Sequence, residues 1–158
     1  MKTIIISGIL LCVLFFLFCN ITYFKNYLPE EWTYTVFLNY RQYDGLTGDS
    51  IEYEFAVDSI TCTKNVKGIK TFDHKTKIQK YELRELLLNL KDNKIDKLKT
   101  KKRDDISSDP DYYFLRLHRG GRLLAGITID STNDIKDKDK LQLNNIIDHI
   151  RKLIKNKK

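Results

Sequence analysis

Ile4 to Cys19 reads IIISGILLCVLFFLFC, sixteen residues without a charge, preceded only by Met1, Lys2 and Thr3. Nothing later in the chain matches it. Such a run directs a chain to a membrane, so the polar, charged remainder is expected to work at or beyond one. Three forms of leader compete. A secretory signal needs a positive start, about 7–15 apolar residues and small residues at −3 and −1 of the cut. Lys2 supplies the start, but no A-x-A-like pair occurs in Phe18-Cys19-Asn20-Ile21-Thr22-Tyr23. A lipoprotein leader would carry its lipid on Cys19, yet Leu17 and Phe18 occupy the places where small residues are required. Cys12 and Cys19 otherwise read as small apolar side chains within a membrane helix.

An uncleaved anchor, marked by Ile4, Leu10, Phe15 and Phe18, extends through Phe24 to 21 residues. At 1.5 Å per residue that is ~31 Å, enough for a hydrocarbon core of ~30 Å. Tyr23, Phe24, Tyr27 and Trp32 then fall just past its end, where amphipathic rings prefer the headgroup level. Length therefore favours the retained span over the cleaved or lipidated forms. Lys2 and the amino terminus stand against Lys25 alone before Arg41, so the charge bias is small. An N-terminal export-type leader favours the domain outside the cytoplasm.

The expected division is 1–24 anchor or signal, 25–31 linker and 32–158 one α+β domain, a length that suits a single core. Cys62 is the only thiol after the leader, so no bridge can close within the domain. It is expected to be a small buried side chain in a strand.

The net charge is +7, and it is concentrated. Lys91 to Arg103 holds seven basic residues and two acids, and His149 to Lys158 holds five basic residues and no acid. The rest is slightly acidic. Two such stretches suit anionic lipid headgroups, acidic polymers or nucleic acid. They also suit solvated ends and a last helical turn that complements the macrodipole. Nucleic acid is disfavoured as a partner, since the leader points away from the cytoplasm and no recognition motif occurs.

Trp32 to Tyr43, rich in aromatic and β-branched residues, predicts a strand. A turn follows at Asp44–Asp49. Ile51 to Lys64 reads as one second strand, with Ile51, Tyr53, Phe55 and Val57 on its half-buried face and a bulge or bend at Ser59-Ile60. Val66 to Phe72 is a weaker third strand. Leu83, Leu86, Leu87 and Leu90 set a helical stripe over Tyr81–Lys91, extended by Ile95 and Leu98. Lys99–Asp111 is a polar loop. Gly120-Gly121 predicts a two-residue hairpin turn between Tyr112–Arg119 and Arg122–Asp130, pairing Leu117 with Leu124 and Leu115 with Gly126. Lys138–Ile154 is a helix with Leu143, Ile146, Ile147, Ile150, Leu153 and Ile154 on one stripe. The expected fold is a small antiparallel sheet of order β-β-(β)-α-β-β-α carrying two helices.

Catalytic signatures are missing: there is no G-x-S-x-G, Walker A or G-x-G-x-x-G. His74, His118 and His149 lie on three elements without zinc spacing. Asp104, Asp105, Asp109 and Asp111 crowd one loop but do not follow the calcium-loop pattern. Neither metal nor cofactor is expected, and a non-enzyme is the better reading. Tyr112, Arg116, Arg119 and Arg122 form the candidate partner surface on the hairpin. These features imply a membrane-tethered envelope protein with a binding or structural domain outside the cytoplasm. A secreted or lipid-anchored inhibitor or immunity-type module is the first alternative, and an enzyme whose site is assembled from distant residues is the second. Oligomeric state is not legible.

Overall fold

The structure, a computed structural model, describes residues 28–102, 112–130 and 133–157. The leader and the Asp104–Asp111 loop fall outside these residues, and among those described no helix is long and apolar enough to cross a membrane.

Strands β1 (Val36–Asp44), β2 (Asp49–Phe55), β3 (Ser59–Val66) and β4 (Ile69–Lys77) form a meander, and β6 (Tyr112–Arg119) and β7 (Arg122–Ile129) form a hairpin. The hairpin adds to the free edge of β1, giving one antiparallel six-stranded sheet of order β4-β3-β2-β1-β6-β7. A separate two-stranded ladder pairs β5 (Thr100–Lys102) with β8 (Asn133–Ile135). Helix α1 (Lys80–Asp92) leads into a 3₁₀ turn at Ile95–Lys97, and α2 (Asp137–Lys155) follows β8. The class is α+β with two helices, as the hydrophobic periods predict.

Four expectations change in detail. The phase slip at Ser59 is not a bulge within one strand. It is a hairpin turn closed by Ala56 N–H donating to Ser59 O at 2.8 Å, so Ile51–Lys64 becomes β2 and β3. The third segment starts later and runs longer, at Ile69–Lys77, because Lys67 and Gly68 form the left-handed turn (φ 50° and 79°). Part of the Lys99–Asp111 loop is the short strand β5. In the Gly120-Gly121 hairpin, Arg119–Arg122 and His118–Leu123 pair as expected, but Leu117 faces Ala125 and Leu115 faces Ile127. One extra residue, Leu124, is accommodated between Leu117 and His118. The bulge returns Ala125 and Ile127 to the inner face, where both are buried. The element order is thus β-β-β-β-α-β-β-β-β-α.

Alternation fixes what each face carries. Val36, Leu38 and Tyr40 of β1 share the inner face with Tyr53 and Phe55 of β2, Ile60 of β3, and Leu115, Leu117, Ala125 and Ile127 of the hairpin. Against them pack Leu83, Leu86, Leu87 and Leu90 of α1, Ile95, and Leu143, Ile146, Ile147, Ile150 and Leu153 of α2. Both helical stripes are those the sequence predicts, with Ile154 half-buried at the end of the second. Asn145 Nδ2 donates to Asn93 Oδ1 at 3.0 Å and ties the helices together.

Candidate functional site

The outer face of the sheet carries the candidate hairpin surface. On β1 the outward residues are Phe37, Asn39, Arg41 and Tyr43, and register places His118, Arg116, Phe114 and Tyr112 of β6 beside them. Phe37 and His118 stack at 4.8 Å with 4° between planes, and Tyr43 and Tyr112 stack at 4.7 Å. The Arg116 guanidinium lies 4.6 Å from the Phe114 ring centroid, and its Nη2 donates to Thr128 Oγ1 at 3.4 Å. Asn39 donates to Glu52 at 3.0 Å and Arg41 to Ser50 at 3.3 Å. Pairing of this kind restrains the side chains. None of these aromatic rings belongs to the buried core.

Of the four residues expected as a partner surface, Tyr112 and Arg116 sit within this outer row. Arg119 and Arg122 face each other across the turn, both exposed. The hairpin from Tyr112 to Ile129 contains these three arginines and no Asp or Glu. Burial, reinforced by the Arg116 charge, lowers the pKa of His118 below the ordinary imidazole value. The imidazole therefore stacks on Phe37 as a neutral ring near pH 7.

The three histidines remain on separate elements: His74 on β4, His118 on β6 and His149 on α2. Among the described residues no three His, Cys, Asp or Glu side chains are grouped to hold a metal. A hollow of about 660 Å³ at the β1–β2 turn includes Asp44 and Asp49, but these are committed to the chain. Asp44 Oδ1 accepts from Leu46 and Thr47 N–H, and Asp49 Oδ1 accepts from Lys67 N–H.

A different cleft lies on the helix side of the sheet. β4 is exposed along almost its whole length, so β3 and β4 overhang the helical layer. Between them and the end of α2 is a cavity of about 440 Å³. Ile60, Phe72 and Ile154 make its apolar wall, while Cys62, Lys64 and His74 contribute polar groups. Cys62 faces Tyr53 on one side and His74 on the other. It is half-buried, not enclosed, which corrects the expected buried role. Burial first, then the adjacent Cys62 thiol and the Tyr40 hydroxyl, push the Tyr53 phenol up to about 12. Lys64 Nζ lies 5.5 Å from the Phe72 ring centroid. Lys157 also reaches the cleft, but its Nζ donates to Glu82 Oε2 at 2.7 Å.

That ion pair qualifies the basic C-terminal stretch, as Lys91 with Glu30 (3.4 Å) qualifies the other. Exposed Lys94, Lys97, Lys99 and Lys101, with Arg151, Lys152 and Lys155, carry the rest of the charge that these two stretches present among the described residues. Sequence reasoning missed the cleft because it read β2 and β3 as one strand and ended β4 at Phe72, which hides the Cys62–His74 pairing. It also missed Phe37 and Arg41. Apolar or aromatic residues at both parities of Val36–Tyr43 are the signal that this strand uses both faces. No protein-family model matches the chain, and no curated protein matches it in sequence.

Proposed function

We propose that this is a membrane-tethered envelope protein whose extracytoplasmic domain binds an acidic protein surface through the outer face of its sheet. One observation carries the reading: an outer row of aromatic and arginine side chains, continuous with a hairpin that has three arginines and no acid. Tyrosine and arginine are among the side chains that dominate binding energy at protein interfaces, and phenylalanine is enriched there with the other aromatics. Restrained by ring stacking, they lose little rotamer freedom on docking. The lack of carboxylates on β6 and β7 favours a partner of opposite charge. The uncharged Ile4–Cys19 run supports the tether.

Two measurements on the full-length chain test this. Fractionation with intact mass reads the leader: a full-length mass in the membrane fraction is expected. A mass beginning at Cys19 with acyl groups would make it a lipoprotein, and a shortened soluble form would make it secreted. Photo-crosslinking residues at Phe37, Phe114 and Arg116 are expected to give one adduct with an acidic protein, weakened by salt, while the exposed Tyr81 on α1 gives none. Equal adducts from the helix and from the sheet would remove the outer face from the argument.

A further inference from the structure

We propose that the cleft beneath the β3–β4 overhang binds a small organic anion with an apolar body, such as an aryl or branched aliphatic carboxylate. The volume, about 440 Å³, lies within the range of small-molecule sites. It is too small for a two-chain phospholipid. Its chemistry is divided in the way such a ligand requires. Ile60, Phe72 and Ile154 offer an apolar wall, and Lys64 and His74 stand at the same side of it on β3 and β4.

Charge decides the sign of the ligand. No carboxylate lines the cleft, and its one other cation, Lys157, is already held by Glu82. Lys64 has no carboxylate partner among the described ion pairs and rests near the Phe72 ring, so its ammonium is available at the rim. A cationic ligand would meet two lysines, while a neutral one would forgo their attraction. This site is independent of the outer face, because the sheet separates the two.

Cys62 supplies the reporter, since a ligand seated against Tyr53 and Ile60 covers its thiol. The experiment follows alkylation of Cys62 by iodoacetamide in the full-length chain, located by peptide mass, at matched ionic strength. Three probes share one body: 4-phenylbutyrate, 4-phenylbutanol and 4-phenylbutylamine. With a Kd of a few millimolar, the acid at ~10 mM is expected to slow alkylation about threefold, the alcohol less and the amine not at all. Lys64→Gln should reduce the acid to the level of the alcohol, and Phe72→Ala should weaken both. Equal protection by all three probes, no protection by the acid, or an unchanged acid advantage in Lys64→Gln would each overturn the proposal. Phosphatidylglycerol vesicles are run in parallel. Protection by vesicles without protection by the acid would assign the cleft to a lipid headgroup and overturn it as a small-acid site.

Discussion

The two outer hairpins of the sheet flank the same central pair, β1 and β2, and both turn on two left-handed residues, Lys67-Gly68 and Gly120-Gly121. Both strands of one belong to the core, whereas the other enters it only through Ile60 of β3. In β6–β7, Leu115, Leu117, Ala125 and Ile127 are buried, whereas in β4 only Thr76 is even half-buried. Geometry leaves about one edge strand uncovered. Six strands at ~4.8 Å spacing span ~24 Å, while two helices side by side cover ~20 Å. The composition shows which edge was given up. β4 carries Lys70, Asp73, Lys75 and Lys77, charges that protect a free edge from pairing with another chain. The uncovered strip of inner face becomes the wall of the Cys62–His74 cleft.

The sharpest way to break this comparison is to cut a side chain from each hairpin. Leu115→Ala, at a site with no exposure, should cost about 2–5 kcal/mol in urea unfolding. Phe72→Ala, on a residue 46% exposed, should cost under ~1 kcal/mol. Equal losses would mean that β4 is packed against something the described residues do not include. A backbone test comes next. A methyl group at Gly126 would lie 2.6 Å from Leu115 O and 3.1 Å from Arg116 Cα, neither able to move without disturbing the ladder. Gly126→Ala should cost about 1–3 kcal/mol through overpacking. At Gly68 a Cβ would meet nothing, so Gly68→Ala should cost only about 1 kcal/mol, from its positive φ. Reversal of that order would show that the β6–β7 register is not the one that buries Ala125 and Ile127.

The same contrast explains which parts of the fold could be read from the chain. Helix stripes such as Leu83-Leu86-Leu87-Leu90 repeat at a period that only one structure satisfies, and both helices lie where the stripes place them. Gly120-Gly121 likewise has one good use. The β2–β3 turn at Ala56-Val57-Asp58 has neither glycine nor proline, so nothing local distinguishes it from a kink in a strand. Leu117, Leu124 and Ala125 are all apolar, so alternation alone could not choose the bulged register. The cleft depends on the first of these: His74 comes opposite Cys62 only once β3 is a strand of its own and β4 runs past Phe72. On the outer face the hairpin half, Tyr112 and Arg116, was legible. The β1 half was not, since Phe37 and Tyr43 look like core residues in a strand whose other parity is also apolar.

A smaller effect comes from the one ion pair that holds the end of α2 beside the cleft. Burial disfavours the Glu82 carboxylate, but hydrogen bonds from Lys157 and the Gln79 backbone outweigh it and hold its pKa below the usual range. Folding therefore binds fewer protons at this group. Its contribution is complete above the unfolded value of about 4.3 and is lost as pH falls through the lowered folded value. Glu82→Gln should cost about 1–2 kcal/mol at pH 7 and little at pH 3, measured by urea unfolding. A loss independent of pH would show that the Glu82 charge is not what holds the end of α2.

The smallest expected effect distinguishes the outer face of the sheet from the helical layer by titration. His118 in β6 and His149 in α2 both have pKa values lowered mainly by burial. For His118 the Arg116 charge adds to burial; for His149 Lys152 adds to it and Glu85 opposes it. His149 Nε2 is buried without a hydrogen-bond partner, so protonation there has no acceptor to satisfy it. Each group is neutral in the folded chain where its unfolded counterpart, with a pKa of about 6.5, already takes a proton. Stability is thus expected to be full above pH ~6.5 and to decline as pH falls through the lowered folded values, before the carboxylates titrate. Urea unfolding at pH 7.5, 6.5 and 5.5 reads this slope. His149→Gln should flatten it more than His118→Gln, because the outer-face imidazole keeps contact with water while the one on α2 is the more enclosed. If the double variant keeps the full slope, the loss arises elsewhere, and the neutral stacking of His118 on Phe37 no longer contributes to how the outer face is held.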